Sequence, residues 1–292
     1  MTTYDLFIGN LISHPFIKNA LVTCIALAIS YGPLGVLLVL RRMSLVGDAL
    51  SHAVLPGAAC SYIFTGTLSL WAMSIGGIVS GLVVAFLSGF VSRTTHLKED
   101  ASFASFYLMF YAGGLILLSS FRTRININDL LFGTILGVSN SDLIIVCTFV
   151  SITLVALAII YRPLVFESFD PYFLRSVGAK GGVYHFTFLI LVVINIVAGF
   201  RSLGILMALG LMMVPATAAR FWAKQIWTMS LCATGIAFIS GYLGLVLSSA
   251  LGLACGPLII LVAGICYLIS LAVGPYGSLR ERYFGTQARK ST

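Results

Sequence analysis

Charged side chains are scarce in this sequence: only 9% of its 292 residues are Asp, Glu, Lys or Arg. Hydrophobic residues make up 59% of the chain, and the mean hydropathy is +1.06. A soluble domain carries about 25% charged residues, so this composition excludes a soluble protein. The chain is therefore expected to be an integral membrane protein.

Several motifs of catalysis and metal binding are also absent. The six cysteines never form CxxC, which argues against a zinc ribbon and against a disulfide framework. The sequence has no HExxH, no GxSxG and no GxxxxGK[ST]. The chain is therefore not expected to be an enzyme, to hydrolyse ATP or to hold a cofactor permanently. If it transports a solute actively, the energy must come from a separate subunit or from an ion gradient.

Nine hydrophobic runs are long enough to cross a bilayer, which requires about 20 mostly apolar residues in a helix. They cover 16–40, 45–64, 70–91, 101–120, 130–160, 184–200, 203–221, 226–247 and 255–273. The sequence thus predicts an all-α, polytopic helical membrane protein with about nine transmembrane helices and a core at 14–275. The long fifth run is expected to begin with a short helix outside the membrane.

Basic residues are distributed unevenly between the two sides that nine crossings define, dividing 13 to 4. The larger group contains Arg41, Arg42, Arg93, Lys98, Arg162, Arg175, Lys180, Arg220, Lys224, Arg280, Arg282, Arg289 and Lys290. The smaller group contains Lys18, Arg122, Arg124 and Arg201. Because Lys and Arg accumulate in cytoplasmic loops, the N-terminus is predicted outside and the tail 276–292 in the cytoplasm. This topology explains the positive charge without nucleic acid, and no cleavable signal peptide is expected.

Asp48 and His52 interrupt the second hydrophobic run, in the segment 43–57, MSLVGDALSHAVLPG. Their spacing places both side chains on one helical face, with Cβ atoms about 5–6 Å apart. An ionisable residue at membrane depth costs about 2.5–3.5 kcal/mol, so it is expected to face a pathway or a partner rather than lipid. We interpret the pair as the main metal-binding site. The alternative is a structural contact, in which the two side chains bond to each other or to a neighbouring helix.

Glu99 and Asp100 form a second acidic cluster, and two interpretations of it stay open. Acidic residues in the first turn of a helix are stabilised by about 0.3–1 kcal/mol through the helix dipole, without any ligand. The same carboxylates could receive a cation leaving the central site, which makes them tentative metal ligands. His14, His96 and His185 lie at the ends of hydrophobic runs or in loops and are interpreted as interfacial residues.

The segment 161–183 is the longest polar stretch that the topology places in the cytoplasm. It is expected to open at Pro163, to start a short helix at Asp170 before Pro171, and to close at Gly178. A compact helix of this kind can dock on a soluble partner. The alternative is a plain connector between two spans.

Four segments together resemble the integral-membrane permease of the ABC-3 family of metal importers, which serve zinc, manganese or chelated iron. They are RRMSLVGDALSHAVLPG at 41–57, FDPYFLRSVGAKGG at 169–182, GILMALGLMMVPATAARFWA at 204–223 and CGPLIILVAGICYL at 255–268. The first is highly specific, and the resemblance covers about 16–273. It implies a type II-like importer permease fold in which 1–292 is a single transmembrane permease domain.

The resemblance also implies partners and residue roles. Family members pair two permease chains, here expected as a homodimer, with two cytoplasmic ATP-hydrolysing subunits and an extracytoplasmic metal-binding protein, in the inner membrane. Asp48 and His52 would be the transport-site ligands. Asp170, Arg175 and Gly178 would belong to a coupling helix that fits a cleft in the ATPase.

The metal and the conformational mechanism follow less directly. A carboxylate and an imidazole suit Zn²⁺, Mn²⁺ and Fe²⁺ alike, and the absence of nearby thiolates disfavours copper(I). The sequence KED at 98–100 stands where some zinc-specific members carry histidine, so zinc and manganese both stay open, with iron behind them. Pro56 and Gly57 are predicted to loosen the helix beyond His52 and to act as a hinge. The rival interpretations are an intramembrane metalloenzyme and a non-transporting receptor or scaffold.

Overall fold

A computed structural model describes residues 15–65, 70–120, 138–170 and 181–277, together with residues 174, 176 and 178. This described part contains nine α-helices and no strand. In chain order they are α1 Pro15–Leu40, α2 Ser44–Thr65, α3 Leu70–Thr94, α4 Glu99–Ser120, α5 Asn140–Phe169, α6 Gly181–Leu203, α7 Ile205–Ala219, α8 Ile226–Leu251 and α9 Cys255–Val273. The predicted all-α polytopic fold is confirmed.

Seven of the described helices are long and apolar enough to cross a bilayer on length and composition alone. The two others are α2, which carries Asp48 and His52, and α7, which has only 15 residues. Each of the nine helices nevertheless coincides with one of the nine predicted runs. The short helix expected at the start of the fifth run lies outside the described residues.

The largest difference from the sequence prediction is at Pro163, where a polar loop was expected to open. Instead, α5 continues through this proline to Phe169. A proline removes one N–H donor but leaves the residues after it free to stay helical, so the expectation of a break was wrong. The polar connection is shortened from its other side as well, because α6 already begins at Gly181.

The chain divides into two compact units, and the first comprises Met1–Leu40, Asn128–Cys147 and Ser202–Thr292. Its described core lies where α1, α7 and α8 pack together, and Val36, Ala216 and Ala233 are fully or almost fully buried there. Beyond α7, Trp222 Nε1 donates a hydrogen bond of 2.8 Å to Ser270 Oγ of α9. The small side chains allow the helices to approach closely, as in other membrane bundles.

The second unit comprises Arg41–Ile127 and Thr148–Arg201 and contains α2, α3, α4, most of α5, and α6. Helix α2 packs against both α3 and α4. At Gly57 and Gly76 the backbones of α2 and α3 touch so closely that a Cβ atom on either residue would overlap the carbonyl of the other. Ser80 Oγ of α3 also donates to the Ala53 carbonyl of α2 at 2.6 Å. The helix that carries Asp48 and His52 is therefore in close contact with α3 around Ala53 and Gly57.

Candidate functional site

Asp48 and His52 lie in the second and third turns of α2, on the same face of the helix. The distance from His52 Nε2 to Asp48 Oδ1 is 3.7 Å, and the side chains are 28% and 44% exposed, respectively. This separation exceeds hydrogen-bond range. Two ligands that each lie about 2.0–2.2 Å from one ion can be up to about 4.4 Å apart, so the pair has room to share a cation. Both groups thus remain accessible to a ligand.

Two tyrosines of α4 hold the imidazole of His52 in place. The ring of Tyr107 stacks on His52 with centroids 5.9 Å apart and planes 22° apart. Tyr111, one turn later, meets the same ring edge-on at 5.4 Å and 64°. Within the described structure, His52 Nδ1 is buried and has no hydrogen-bond partner. The aromatic contacts therefore fix the orientation of this imidazole, and sequence analysis did not identify them.

Pro56 and Gly57 follow His52 by one helical turn, and α2 continues through both. Pro56 has no N–H to donate to the His52 carbonyl, four residues earlier. The helix therefore lacks one backbone hydrogen bond at His52, the candidate metal ligand. The side chain of Pro56 packs against Gly114 of α4, where an added Cβ atom would lie 2.8 Å from Pro56 Cβ. A weakened helix at this point is compatible with the predicted hinge, which stays a prediction.

The chain offers few ligands at this place. Among the described residues, no group of three or more His, Cys, Asp and Glu side chains is arranged to hold a metal ion. Asp48 and His52 therefore form a pair, without a third ligand of these types in the described part of the same chain. Glu99 and Asp100 do not join them in such a group.

Glu99, the first residue of α4, instead lies against His185 of α6. The distance from His185 Nε2 to Glu99 Oε1 is 2.7 Å, and the His185 side chain is only 7% exposed. The neighbouring Asp100 has a buried Oδ1 atom for which the described residues provide no hydrogen-bond partner. The contact with His185 gives Glu99 a partner within the protein, and the two interpretations of Glu99 and Asp100 both stay predictions.

Arg41, in the turn between α1 and α2, is the centre of a larger polar cluster. Its Nε donates to Ser168 Oγ at 2.7 Å and its Nη2 to the Leu164 carbonyl at 3.3 Å, both on α5. Its Nη1 lies 3.2 Å from His185 Nδ1. Its guanidinium also lies 5.0 Å above the centre of the Phe188 ring. Burial lowers the pKa of Arg41 below its ordinary value, while the carboxylates of nearby acidic residues oppose this change.

The partners of His185 determine its tautomer. Arginine can only donate hydrogen bonds, so Nδ1 of His185 accepts from Arg41. Its other ring nitrogen, Nε2, lies 2.7 Å from Glu99 Oε1. His185 thus joins a guanidinium to a carboxylate, whereas the sequence analysis treated it only as an interfacial residue.

A second ion pair completes this cluster at the same end of the unit. Arg93 Nη2, near the end of α3, lies 3.4 Å from Glu167 Oε1, near the end of α5. The Glu167 carboxylate packs against the backbone of Gly181, the first residue of α6, so closely that a Cβ atom added there would displace the carboxylate. A cavity of about 520 Å³ lies beside this ion pair, and its lining includes Arg93, Glu167, Arg41 and His185. Glu167 lies within the polar segment 161–183 and His185 directly follows it, and this was the available sequence signal.

The proposed coupling residues lie between these two helix ends. Asp170 follows α5, is exposed, and accepts a bond of 3.4 Å from the Leu174 N–H, as expected for the start of a helical turn. Gly178 has a φ of +76° and nothing within 4 Å of a Cβ atom placed on it. The left-handed backbone, rather than crowding, therefore favours glycine here. Arg175 lies outside the described residues.

The fold and the site together define a polytopic helical membrane protein with an accessible Asp–His pair on one helix and a charged cluster at the helix ends. The sequence profile of the ABC 3 transport family matches residues 13–274. The chain therefore belongs to this family, as its sequence motifs indicated.

Similar proteins agree with this assignment. The manganese import system permease protein ScaB of Streptococcus parasanguinis is 32% identical over 269 residues, covering 92% of this chain and 94% of that protein. The chelated iron transport system membrane protein YfeD of Yersinia pestis is 27% identical over 273 residues, covering 92% and 89%. The solved structure of PsaBC from Streptococcus pneumoniae in complex with Fab has a TM-score of 0.82 and 30% identity, covering 96% and 98%. The relatives are transport proteins and not enzymes, which confirms the sequence prediction.

Proposed function

We propose that this chain is the permease of an ABC importer that carries Mn²⁺ into the cytoplasm, with Asp48 and His52 as its transport-site ligands. The observation that carries the proposal is the half-exposed carboxylate and imidazole, 3.7 Å apart on a helix of a membrane protein. Burying ionisable side chains in a membrane is costly, and a cation pathway gives a reason for that cost.

The ligand chemistry supports a hard or intermediate divalent cation. One carboxylate oxygen and one imidazole nitrogen suit Mn²⁺, Zn²⁺ and Fe²⁺, whereas a thiolate site would favour softer metals. The name of the similar ScaB permease favours manganese, and that of YfeD keeps iron as an alternative. Zinc remains the third candidate because nothing in the donor pair excludes it.

Two ligands are too few for a metal site, so we propose that a second copy of the chain supplies the others. Two copies related by a two-fold axis would contribute Asp48 and His52 twice, giving an Asp₂His₂ set. Such a site would have open coordination positions for water and would bind weakly enough to release its ion, as transport requires.

The energy source is proposed to be a pair of cytoplasmic ATP-hydrolysing subunits, with an extracytoplasmic protein delivering the metal. The N-terminus would lie outside, the C-terminus in the cytoplasm, and the chain in the inner membrane. ATP-driven motion would reach the permease through the segment around Asp170, Arg175 and Gly178. Pro56 and Gly57 would then let α2 bend next to the metal ligands. Residues 1–292 would form one transmembrane domain in this arrangement.

Uptake of radioactive Mn²⁺ into vesicles that contain the complete transporter tests the proposal. Wild-type vesicles should accumulate Mn²⁺ only with ATP and the metal-binding protein, and Zn²⁺ and Fe²⁺ should be compared at equal concentration. Permeases carrying Asp48→Ala or His52→Ala should assemble normally and transport nothing. Wild-type uptake rates in both variants would refute the assignment of the ligands, and ATP-independent uptake would refute the importer class.

A further inference from the structure

A network of charged side chains joins both ends of the segment 170–180 to the two helices around His52. Glu167 and Ser168 stand directly before this segment, and Gly181 and His185 stand at the start of the helix after it. All four take part in the cluster around Arg41 and Arg93. The segment is therefore anchored on both sides to the same set of charges.

The other members of the network lie at the beginnings of α2 and α4. Arg41 occupies the turn that leads into α2, and Asp48 follows in the second turn of that helix. Glu99 is the first residue of α4, whose third and fourth turns carry the tyrosines that contact His52. Both helices that surround the candidate ligand thus start at the network.

We propose that this network transmits movement of α6 to α2 and α4, with His185 as the central positioning residue. The inference rests on the proposed transport function and adds the path by which ATP hydrolysis would act on Asp48 and His52. His185 suits this position because one ring nitrogen lies 3.2 Å from Arg41 Nη1, at the start of α2, and the other lies 2.7 Å from Glu99 Oε1, at the start of α4. A displacement of α6 at His185 therefore acts on both helices at once.

Several contacts at once hold the Arg41 side chain in place. Arg41 uses Nε, Nη1 and Nη2 in separate contacts, and the Ser168 hydroxyl that accepts from Nε itself donates to the Leu164 carbonyl at 2.6 Å. Hydrogen bonds to charged groups are stronger than neutral ones and fix the geometry of their partners.

Substitutions at His185 test the link in the complete transporter reconstituted in vesicles, with ATP hydrolysis and Mn²⁺ uptake measured together. His185→Leu removes the contacts of the imidazole with Arg41 and with Glu99. It should raise the number of ATP molecules hydrolysed per Mn²⁺ transported at least tenfold. His185→Gln keeps a donor for Glu99 and His185→Asn keeps an acceptor for Arg41, so each should have a smaller effect. His96→Gln changes an exposed histidine in the α3–α4 connection and should leave the ratio unchanged.

A second measurement does not depend on the identity of the metal. The variant Asp48→Cys is made in a transporter whose six native cysteines have been replaced, and a maleimide is added from one side of the membrane or the other. We expect the side from which the cysteine is labelled to differ with and without ATP. Adding His185→Leu should abolish this change while the complex stays assembled. The wild-type transporter could move no Mn²⁺ and still show the ATP-dependent change in labelling. If His185→Leu then abolishes that change, Mn²⁺ is the wrong substrate but the link through His185 is supported.

Two results would overturn the link through His185. In His185→Leu, either the ratio of ATP hydrolysed to Mn²⁺ transported is within twofold of wild type, or ATP changes the labelling of the cysteine at position 48 as it does without this substitution. The link is equally overturned if ATP hydrolysis and uptake fall in proportion, since that indicates a role in folding or assembly alone. If His185→Leu fails to assemble, Arg93→Gln decides. The Arg93 side chain is 38% exposed, and this substitution removes the charge of the ion pair but keeps an N–H donor for Glu167, which is only 14% exposed. It should raise the ratio severalfold, and an unchanged ratio refutes the proposal.

Discussion

Replacing Asp48 with Ala is expected to abolish metal binding while changing the stability of the permease very little. The carboxylate is 44% exposed and lies 3.7 Å from His52 Nε2, beyond hydrogen-bond range. Exposed pairs of this kind contribute about 0.2–1 kcal/mol to the free energy of unfolding. Loss of Asp48 should therefore lower this free energy by no more than about 1 kcal/mol.

The expected effect on the metal is much larger. A residue that only supports a metal ligand changes affinity by about 10–100-fold when it is removed, so loss of a ligand itself should exceed that range. In the proposed symmetric site, one substitution removes a ligand from each chain. We expect Mn²⁺ affinity to fall more than about 100-fold, which corresponds to about 2.8 kcal/mol.

Three measurements on the purified complex separate the two effects: the electron paramagnetic resonance signal of free Mn²⁺, uptake into vesicles, and the melting temperature. Ser51→Ala is the matched control, because Ser51 lies on the same helix and its hydroxyl donates to the Gly47 carbonyl of that helix at 2.7 Å. It should bind Mn²⁺ normally. Normal Mn²⁺ affinity in Asp48→Ala, or a large fall in melting temperature that accompanies the loss of binding, would refute the reasoning.

Other substitutions test the surroundings of the pair. Tyr111→Ala removes the edge contact with His52 and should weaken Mn²⁺ binding about 10–100-fold, whereas Tyr111→Phe keeps the ring and should bind almost normally. Gly57→Ala should destabilise the complex by about 1–3 kcal/mol in thermal unfolding, because a Cβ there overlaps the α3 backbone. Gly113→Ala, with nothing within 4 Å of the added atom, should not destabilise it. Gly178→Val strains a left-handed residue and should weaken binding of the ATPase in a pull-down, while Mn²⁺ affinity is retained. Reporter fusions that place the C-terminus outside would refute the predicted topology.

The helices were predictable because a long apolar run has few alternatives in a membrane. A span must satisfy its backbone hydrogen bonds internally, so each hydrophobic run is expected to be one helix. All nine described helices follow this rule, including α2, whose composition alone would not qualify it. The continuation of α5 past Pro163 was not predictable in this way, since a proline is compatible with either a kink or an end.

The Asp48–His52 pair was predictable because its spacing within one helix fixes its geometry. The contacts of Tyr107 and Tyr111 depend on the packing of α4 against α2, which no local pattern specifies. The link from Arg41 to His185 joins residues that are 144 positions apart in the sequence. A single sequence gives the residue types of such a cluster but not the pairing of its members.

The scarcity of acidic residues gives the charged cluster its significance. The whole chain has only nine Asp and Glu residues, and five of them are Asp48, Glu99, Asp100, Glu167 and Asp170. Each of these five lies within the first two turns of α2 or α4, or at the end of α5. In this unit the starts of α2 and α4 meet the end of α5, as the contacts of Arg41 and Glu99 require. A bundle that needed charge only for solubility would distribute it among all its loops. Concentrating the charge at the starts of α2 and α4, the helices that carry His52 and its two tyrosines, is expected if the charged cluster and the Asp48–His52 pair act on each other.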